Sequence, residues 1–300
     1  MPENALVSPL IAWFDTAERP LAWREPGTSA WAVLLSEVMS QQTPVARVEP
    51  QWRAWLERWP GPAELAAAST AEVITQWGTL GYPRRALRLK ACAQAIVEHH
   101  DGQVPADVDA LLALPGIGEY TARAVACFHF GQNVPVVDTN VRRVLHRAVH
   151  GRFLTPPARR SDLKEVAQLL PPAPRGPRFS VALMELGALV CTAKKPRCAA
   201  CPLAATCAWV AAGQPQPSEE ELGAARKRVQ KFEGTDRQCR GRIMAALRRA
   251  DRPVPRESID RLWPHQAQLA QCLRSLVEDG LAEQVDPAGA ADVEAYALPA

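Results

Sequence analysis

The chain has 300 residues, 47% of them hydrophobic and 22% charged, and a formal net charge of +3. This composition is typical of a globular protein with a hydrophobic core, and the length suffices for two or three domains. No run approaches 18 uncharged apolar residues, which excludes a membrane-spanning helix, and the start of the chain lacks a secretory signal. We therefore expect a cytoplasmic protein.

The first third of the chain predicts a series of short helices. Within the second of them, Glu37 lies between apolar residues such as Leu35 and Val38. A glutamate in such a stretch is rarely buried unless it is paired or takes part in chemistry. The alternative is that Glu37 lies on the solvated edge of its helix. Apolar residues at helical spacing place these helices at 8–22, 31–38, 51–59, 62–68 and 72–80.

A glycine turn with an aromatic residue, Gly81-Tyr82-Pro83, comes next and leads into a basic helix at 84–90. Tyr82 could stack on a nucleic-acid base while the four cationic side chains of this helix hold phosphates. A core tyrosine beside a solvated helix face would give the same pattern.

Two glycines separate a helix at 107–114 from another at 120–130. Positive φ angles at Gly116 and Gly118 would leave main-chain N–H groups facing outward at the start of the second helix, which suits an anion such as a DNA phosphate. An ordinary tight turn has the same spacing. Twenty residues after Gly118, Asp138 precedes a helix at 139–150 and can cap it.

Four of the eight cysteines crowd into seventeen residues after a helix at 179–190. Clustered cysteines in an intracellular protein indicate a metal site, and four thiolates suit either a zinc ion or a [4Fe–4S] cluster. The other four cysteines are scattered through helical patterns and are expected to be buried. The clustered residues, spaced C-x6-C-x2-C-x5-C, are Cys191, Cys198, Cys201 and Cys207.

The last third begins with a Pro- and Gln-rich linker and is rich in arginine. Three short helices and two strands joined at 287–289 resemble a winged-helix module, a common duplex-binding fold. Packing of these helices onto the preceding core is the alternative. The predicted helices are 240–249, 256–263 and 266–279, and the strands are 281–285 and 294–298.

The glycine hairpin followed by Asp138 resembles the helix-hairpin-helix motif of base-excision DNA glycosylases, and the cysteine spacing is that of their endonuclease III and MutY branch. The resemblance implies an all-α catalytic core, made of a six-helix domain plus an iron–sulfur helical domain holding one [4Fe–4S] cluster, with a small winged-helix-like α+β module at the C-terminal end. The implied domains are 28–137, 1–27 plus 138–212, a linker at 213–235, and 236–300.

Within that superfamily, the segment from Ser36 to Thr43 resembles the S-E-V-M-L-Q-Q-T segment of the MutY-type adenine DNA glycosylases, and Leu21-Ala22-Trp23-Arg24 resembles their L-P-W-R. Bifunctional endonuclease III enzymes carry a catalytic lysine where this chain has Tyr120, so we expect a monofunctional glycosylase. The usual 8-oxoguanine-reading C-terminal domain is not found.

The resemblance implies a role for each matching residue. The catalytic set is Glu37 as the acid, Asp138 as the stabilising carboxylate, Tyr120 and Asn140. The substrate and DNA contacts are Trp23, Arg24, Gln42, Thr43, Tyr82, Glu185, Gly116 and Gly118.

We therefore expect a monomeric, nucleoid-associated base-excision repair enzyme. It would bind double-stranded DNA and hydrolyse the glycosidic bond of a flipped adenine mispaired with 8-oxoguanine or guanine. One alternative is a mismatch glycosylase of the same superfamily acting on thymine, uracil or another lesion. A second is a non-catalytic iron–sulfur DNA-binding regulator.

Overall fold

The computed structural model describes residues 5–226, 232–285 and 294–300, and these are mainly helical. The helices are α1 (Val7–Ala17), α2 (Ala30–Met39), α3 (Val45–Arg58), α4 (Pro62–Ala67), α5 (Thr70–Trp77), α6 (Arg84–His99), α7 (Val108–Ala113), α8 (Glu119–Phe128), α9 (Thr139–Ala148), α10 (Arg160–Leu169), α11 (Arg175–Leu189), α12 (Ala208–Ala211), α13 (Glu219–Arg226), α14 (Asp236–Arg249), α15 (Arg256–Asp260) and α16 (Gln266–Glu278). The strands are β1 (Val254–Pro255), β2 (Glu283–Val285) and β3 (Ala295–Ala297).

The chain forms two compact units, and the domain boundaries expected from the sequence stay a prediction. Among the described helices, none is both long enough and apolar enough to cross a membrane. The first unit contains Met1–Glu37, Pro105–Ala113 and Ile117–Arg228, and the second contains Val38–Val104, Leu114–Gly116 and Val229–Ala300.

The core of the first unit is formed where α1, α9 and α11 pack together. Phe14, Val141 and Phe179, one from each helix, are completely buried in it. Helix α9 presents Val141, Val144 and Leu145 to this core, a spacing of three and four residues that keeps apolar side chains on one helix face. The side chains of the four clustered cysteines pack against the same core.

Helix α1 ends at Ala17, earlier than the predicted residue 22. The backbone N–H of Arg19 donates to Oε1 of Glu185 at 3.1 Å instead of continuing the helix. Pro20 also disfavours helical geometry at Arg19. A short 3-10 helix, Ala22–Arg24, follows and carries Trp23.

The hairpin between α7 and α8 uses its two glycines differently. Gly116 has a φ of +77°, and a Cβ atom there would lie 2.7 Å from the Cβ of Arg88. Gly118 has a φ of −103° and caps α8 in an extended conformation, with no atom within 4 Å of a Cβ built there. The prediction of a positive φ is therefore confirmed for Gly116 and wrong for Gly118, where the extended backbone of an N-cap residue suffices.

The second unit contains α3 to α6 and the C-terminal elements. Trp55 and Trp77 are fully buried, and their rings meet edge to face with centroids 5.4 Å apart. The indole of Trp55 donates to the carbonyl of Gln76, and that of Trp77 to the carbonyl of Gly81. These bonds satisfy the buried indole N–H groups and fix the turn that leads to Tyr82.

The C-terminal module consists of α14, α15, α16 and an antiparallel sheet with strand order β1-β3-β2. The three predicted helices and two predicted strands are present. The strand β1 was not predicted, because two residues are too few to show a strand pattern in the sequence. The turn predicted at 287–289 lies outside the described residues. Ile74 of α5 is buried in the same cluster as Ile243 and Leu276, so the module also packs onto a preceding helix of its unit.

The segment predicted as a linker contains α13. Ser218 and Glu221 form reciprocal hydrogen bonds, in which Glu221 N donates to Ser218 Oγ at 3.2 Å and Ser218 N donates to Glu221 Oε2 at 2.8 Å. This is a capping box, whose S-x-x-E pattern is visible in the sequence behind the prolines at 215 and 217.

The two hairpin glycines offer a matched pair of substitutions. Gly116→Ala should lower the free energy of unfolding by about 1–3 kcal/mol, because alanine is strained at this φ and its Cβ would collide with Arg88. Gly118→Ala should change it by less than about 0.5 kcal/mol. Urea denaturation followed by circular dichroism measures both, and equal effects would contradict the two backbone conformations.

Candidate active site

Glu37 is a buried acid near the end of α2, with 8% of its surface exposed. The hydroxyl of Tyr120 donates to its Oε2 at 2.7 Å. Burial raises the pKa of Glu37 to about 7, and the negative charge of Asp138 adds to this, whereas the hydrogen bond from Tyr120 and the charge of Arg24 oppose it. A large fraction of Glu37 is therefore protonated at neutral pH and can act as an acid.

Tyr120 lies in the first turn of α8, and the charges of both carboxyl groups act on its phenol. Burial raises the pKa of its phenol well above the ordinary value, and the charges of Glu37 and Asp138 act in the same direction. The phenol therefore stays neutral and remains a hydrogen-bond donor to Glu37.

Asp138 is the N-cap of α9. Its Oδ1 accepts from Val141 N at 2.7 Å and its Oδ2 accepts from Asn140 Nδ2 at 2.7 Å. Burial raises the pKa of Asp138, while these hydrogen bonds and the charge of Arg143 act against the rise. Burial therefore raises the pKa of both carboxyl groups. They differ in the groups that oppose this rise, which are the hydrogen-bond donors and Arg143 at Asp138, and Tyr120 and Arg24 at Glu37.

A chain of contacts fixes Asn140, which in turn orients Asp138. Asn140 Oδ1 accepts from Arg143 Nη2 at 2.7 Å, and Arg143 donates to the carbonyls of Gly187 and Cys191, both at 2.6 Å. A Cβ atom at Gly187 would lie 2.6 Å from that of Asn140. Close packing of α9 on α11 therefore sets the position of the Asp138 carboxylate.

Glu185, expected as an adenine contact, is 1% exposed and lies in a network of arginines. It accepts from Arg19 N, Nε and Nη2, and from Arg24 Nη2. Burial alone would raise the pKa of Glu185, but the hydrogen bonds from Arg19 and Arg24 outweigh it and lower the pKa. Glu185 therefore positions Arg24, whose charge also acts on Glu37. Contact of Glu185 or of the half-buried Trp23 with adenine stays a prediction.

Two residues with unusual backbone angles, Gln42 and Tyr82, lie in the second unit. Both have positive φ, 56° and 49°, a conformation that costs energy for a residue with a side chain and is common at functional sites. Gln42 is exposed and Tyr82 is 37% exposed. Thr43 is buried, and its hydroxyl donates to the carbonyl of Leu80, so Thr43 holds these two loops in place.

Arg85 is the main correction in this region. It was expected to hold DNA phosphates together with the other cations of its helix, but it is only 8% exposed. Burial lowers the pKa of its guanidinium to about 10. It donates to the carbonyls of Val38, Met39, Gln41, Leu80 and Gly81 and to Thr43 Oγ1.

Two of the other three cations of this helix, Arg84 and Lys90, also have polar partners within the protein. Arg84 pairs with Asp279 at 3.4 Å, the side chain of Arg88 lies beneath Gly116, and Lys90 donates to a threonine hydroxyl at 3.2 Å. The basic helix therefore uses much of its charge to stabilise its own unit.

Two of the four clustered cysteines, Cys191 and Cys207, contact Arg147. Burial raises the pKa of the Cys201 thiol to about 11, and the charges of Cys191, Cys207 and Cys198 act in the same direction. Within the described ranges, no group of three or more His, Cys, Asp and Glu side chains is arranged around a single metal-ion site.

Arg147 organises the loop that follows the first cysteine. It is 2% exposed, and its Nη1 lies 3.5 Å from Cys191 Sγ. Its guanidinium donates to the carbonyls of Thr192 and Ala193, and its own carbonyl accepts from Cys207 Sγ at 3.5 Å. The loop geometry is thus set by the protein's own hydrogen bonds.

Sequence reasoning missed four arginines that support the site: the buried Arg85 and Arg147 and the half-buried Arg19 and Arg143. For two of them a signal existed, because Asn140, Arg143 and Arg147 share one face of α9 at spacings of three and four. No comparable signal marks Arg85, whose acceptors are backbone carbonyls from distant segments.

This geometry, a mainly helical fold with the buried Glu37, the half-buried Asp138 and a glycine hairpin, agrees with the comparisons with known proteins. Residues 35–169 match the profile of the HhH-GPD superfamily of base excision DNA repair proteins. The chain is 56% identical over 276 residues to the adenine DNA glycosylase of Mycolicibacterium smegmatis, covering 92% of each chain, and 51% identical to that of Mycobacterium tuberculosis, covering 94% of this chain and 93% of the relative.

Among solved structures, a thermostable thymine-DNA glycosylase is similar with a TM-score of 0.63 and 25% identity, covering 69% of this chain and 95% of that one. The predicted fold class is confirmed. The chain belongs to the adenine DNA glycosylase family within the HhH-GPD superfamily. A match of 276 residues extends into the C-terminal module, so the mycobacterial relative shares at least part of it.

Replacement of the buried acid should stabilise the protein at alkaline pH. Because the pKa of Glu37 is about 7 in the folded state against an ordinary 4.5, ionisation disfavours folding as pH rises from 4.5 to 7. Glu37→Gln should raise the free energy of unfolding at pH 8 by up to about 3 kcal/mol, and the gain should vanish toward pH 4.5. Urea denaturation across this range measures it.

The matched control is Glu57→Gln, at an exposed position on α3, where the change should stay within about 0.5 kcal/mol. A Glu37→Gln variant that is destabilised equally at every pH would show that ionisation of Glu37 does not oppose folding.

Proposed function

We propose that this protein is a monofunctional DNA glycosylase that hydrolyses the glycosidic bond of adenine mispaired with 8-oxoguanine or guanine. The observation that carries the proposal is the buried acid Glu37, which accepts a hydrogen bond from the neutral phenol of Tyr120 and is close enough to the helix-capping Asp138 for its charge to act on both groups. The high identity to proteins named adenine DNA glycosylase supports adenine as the base.

Glu37 supplies the proton that makes adenine a leaving group. In its acid form it transfers a proton to N7 of the flipped base, which draws electrons from the C1′–N9 bond as that bond breaks. Tyr120 holds the Oε2 of Glu37, leaving the other oxygen for the base. After departure of adenine, the Glu37 carboxylate accepts a proton from the attacking water, whose oxygen bonds to C1′.

Asp138 stabilises the positive charge that develops on the sugar. Its carboxylate is oriented before the reaction by Val141 N and Asn140, so little reorganisation is needed in the transition state. The division between one protonated and one ionised carboxyl group is the same as in glycoside hydrolysis.

The DNA contacts follow from the two glycines of the hairpin and from the exposed loops. Gly118 is open on the side where a Cβ would project, so a phosphate can approach the backbone at the start of α8. Gln42 and Tyr82 are exposed on constrained backbone and are suited to fill the space that the flipped adenine leaves. We expect the protein to act as a monomer on duplex DNA, in the cytoplasm at the nucleoid.

Strand cleavage is not expected to accompany base release. No lysine lies between Gly118 and Asp138, and Tyr120 occupies the place where bifunctional relatives carry the amine that forms an imine. The second candidate is thymine or uracil release, which the likeness to a thymine-DNA glycosylase favours. Measurement of released adenine and thymine from defined duplexes separates the two.

One [4Fe–4S] cluster is proposed at Cys191, Cys198, Cys201 and Cys207. The spacing is that of the endonuclease III and MutY branch, and Cys191 and Cys207, at the two ends of the group, both contact Arg147. When bound, the cluster would brace the loop of residues 191–207. Lys194 and Lys195 are exposed on this loop and would meet DNA phosphates.

Loss of either carboxyl group should abolish most of the adenine release. Glu37→Gln and Asp138→Asn should each lower the single-turnover rate by about 100-fold or more, because each removes a charge or proton that the transition state needs. The wild-type rate should fall as pH rises through 7, since only protonated Glu37 is active.

The control is Asp107→Asn. Asp107 also accepts backbone N–H bonds at a helix start, that of α7, but it is exposed and far from the proposed chemistry in sequence. Its rate should match the wild type. Equal loss in both aspartate variants would mean that helix capping, and not chemistry, explains the effect.

The cluster is tested by analysis of the purified protein. We expect about four irons per chain and a broad visible absorbance, both lost in Cys201→Ser and kept in Cys92→Ser, a change at a buried cysteine outside the group. A colourless wild-type protein with one zinc per chain would overturn this assignment.

A further inference from the structure

Tyr82 is proposed above to act as a wedge, a side chain that fills the space left by the flipped adenine. It has a neighbour from the C-terminal module. The guanidinium of Arg237, in the first turn of α14, lies over the Tyr82 ring at 4.3 Å from its centroid. Arg85 lies at 5.6 Å from the same centroid and is buried among carbonyls. Arg237 is exposed, so of the two cations beside the Tyr82 ring it is the one that a ligand in solvent can reach.

A second aromatic ring completes the arrangement. Phe232 is 53% exposed, and its ring centroid lies 5.6 Å from the Arg237 guanidinium. Tyr82, Arg237 and Phe232 therefore form a row, called here the aromatic–arginine row. The Arg237 guanidinium thus lies close to two exposed aromatic rings.

Packing inside the second unit holds this row in place. Ile74 of α5 is buried in the module's core, Arg84 pairs with Asp279, and Leu87 Cδ1 lies 4.0 Å from where a Cβ of Gly280 would be. The module is therefore joined to the helices on both sides of the Tyr82 turn, and Arg237 is held at Tyr82 by the fold.

The chemistry of the row suits a purine base. A guanidinium stacked on a ring keeps the N–H groups at its edges available to donate. Arginine bonded to O6 and N7 of guanine is the commonest specific protein–DNA contact. In 8-oxoguanine N7 carries a hydrogen and no longer accepts, but O6 is kept and O8 is gained, so acceptor oxygens for an arginine remain. Exposed aromatic rings beside the cation offer stacking surfaces for an unpaired base.

We propose that Arg237, held between Tyr82 and Phe232, donates hydrogen bonds to the guanine-type base opposite the excised adenine. The C-terminal module then takes part in selecting the mismatch. This inference rests on the proposed adenine release, because Tyr82 reaches that base only if it acts as the wedge beside the flipped nucleotide.

Two readouts separate the inference from the function on which it rests. Equilibrium binding is measured with duplexes in which a non-hydrolysable 2′-fluoro-adenosine is paired with 8-oxoguanine, guanine or cytosine. Single-turnover adenine release is measured separately on the corresponding cleavable duplexes. The proteins are full-length wild type, Arg237→Ala, Arg237→Lys and Arg249→Ala.

Arg237→Ala should bind the 8-oxoguanine and guanine duplexes about 10-fold or more weakly while its affinity for the cytosine duplex changes little. Arg237→Lys should show the same loss of preference, because lysine keeps the charge but not the planar fork. Arg249→Ala removes an exposed arginine about 18 Å away at the other end of α14 and should behave as wild type.

Unchanged preference in Arg237→Ala would overturn the inference. An equal loss on all three duplexes that lysine restores would also overturn it, since that result describes a phosphate contact. If the wild type releases no adenine from any duplex, the proposed function fails, and the binding ratios still decide whether Arg237 recognises the opposite base.

Discussion

The burial of one carboxyl group, that of Glu37, is the constraint on which the account of this protein depends. An ionised carboxylate is costly to remove from water, so the group lowers its charge by taking up a proton near neutral pH. The fold thereby obtains an acid suited to its task at the expense of stability. Tyr120 limits that cost with one hydrogen bond, and Asp138 increases it with a like charge.

Buried and half-buried arginines bonded to backbone carbonyls are the second recurring feature. Arg85 closes two loops of the second unit, Arg143 joins Asn140 to the carbonyls of α11 and the first cysteine, and Arg147 shapes the cysteine loop. Five donors on a planar group can satisfy several carbonyls that lie outside regular structure. The protein therefore positions its irregular segments with arginines that donate to its own carbonyls. Because their donors are already used, these arginines are poor candidates for DNA contacts.

The sequence predicted the local features of this fold well because they depend on spacing. The helices, the glycine hairpin, the capping position of Asp138 and the elements of the C-terminal module follow from periodicity and turn residues. The placement of Arg85 and the pairing of Glu185 with Arg19 could not be predicted, since they depend on segments far apart in the chain. The backbone angle of Gly118 could not be predicted either, because the two glycines look alike in the sequence but have φ angles of opposite sign.

The pKa of Glu37 in the folded protein tests the central claim most directly. Carbon-13 NMR of the glutamate side-chain carboxyl groups, with Glu37→Gln to assign the signal, follows this titration without reference to activity. We predict a signal that titrates near pH 7 in the wild type and is missing from the variant. A Glu37 signal that titrates near the ordinary value of about 4.5 would contradict the account, because the carboxyl group would then be solvated or paired and ionised at neutral pH.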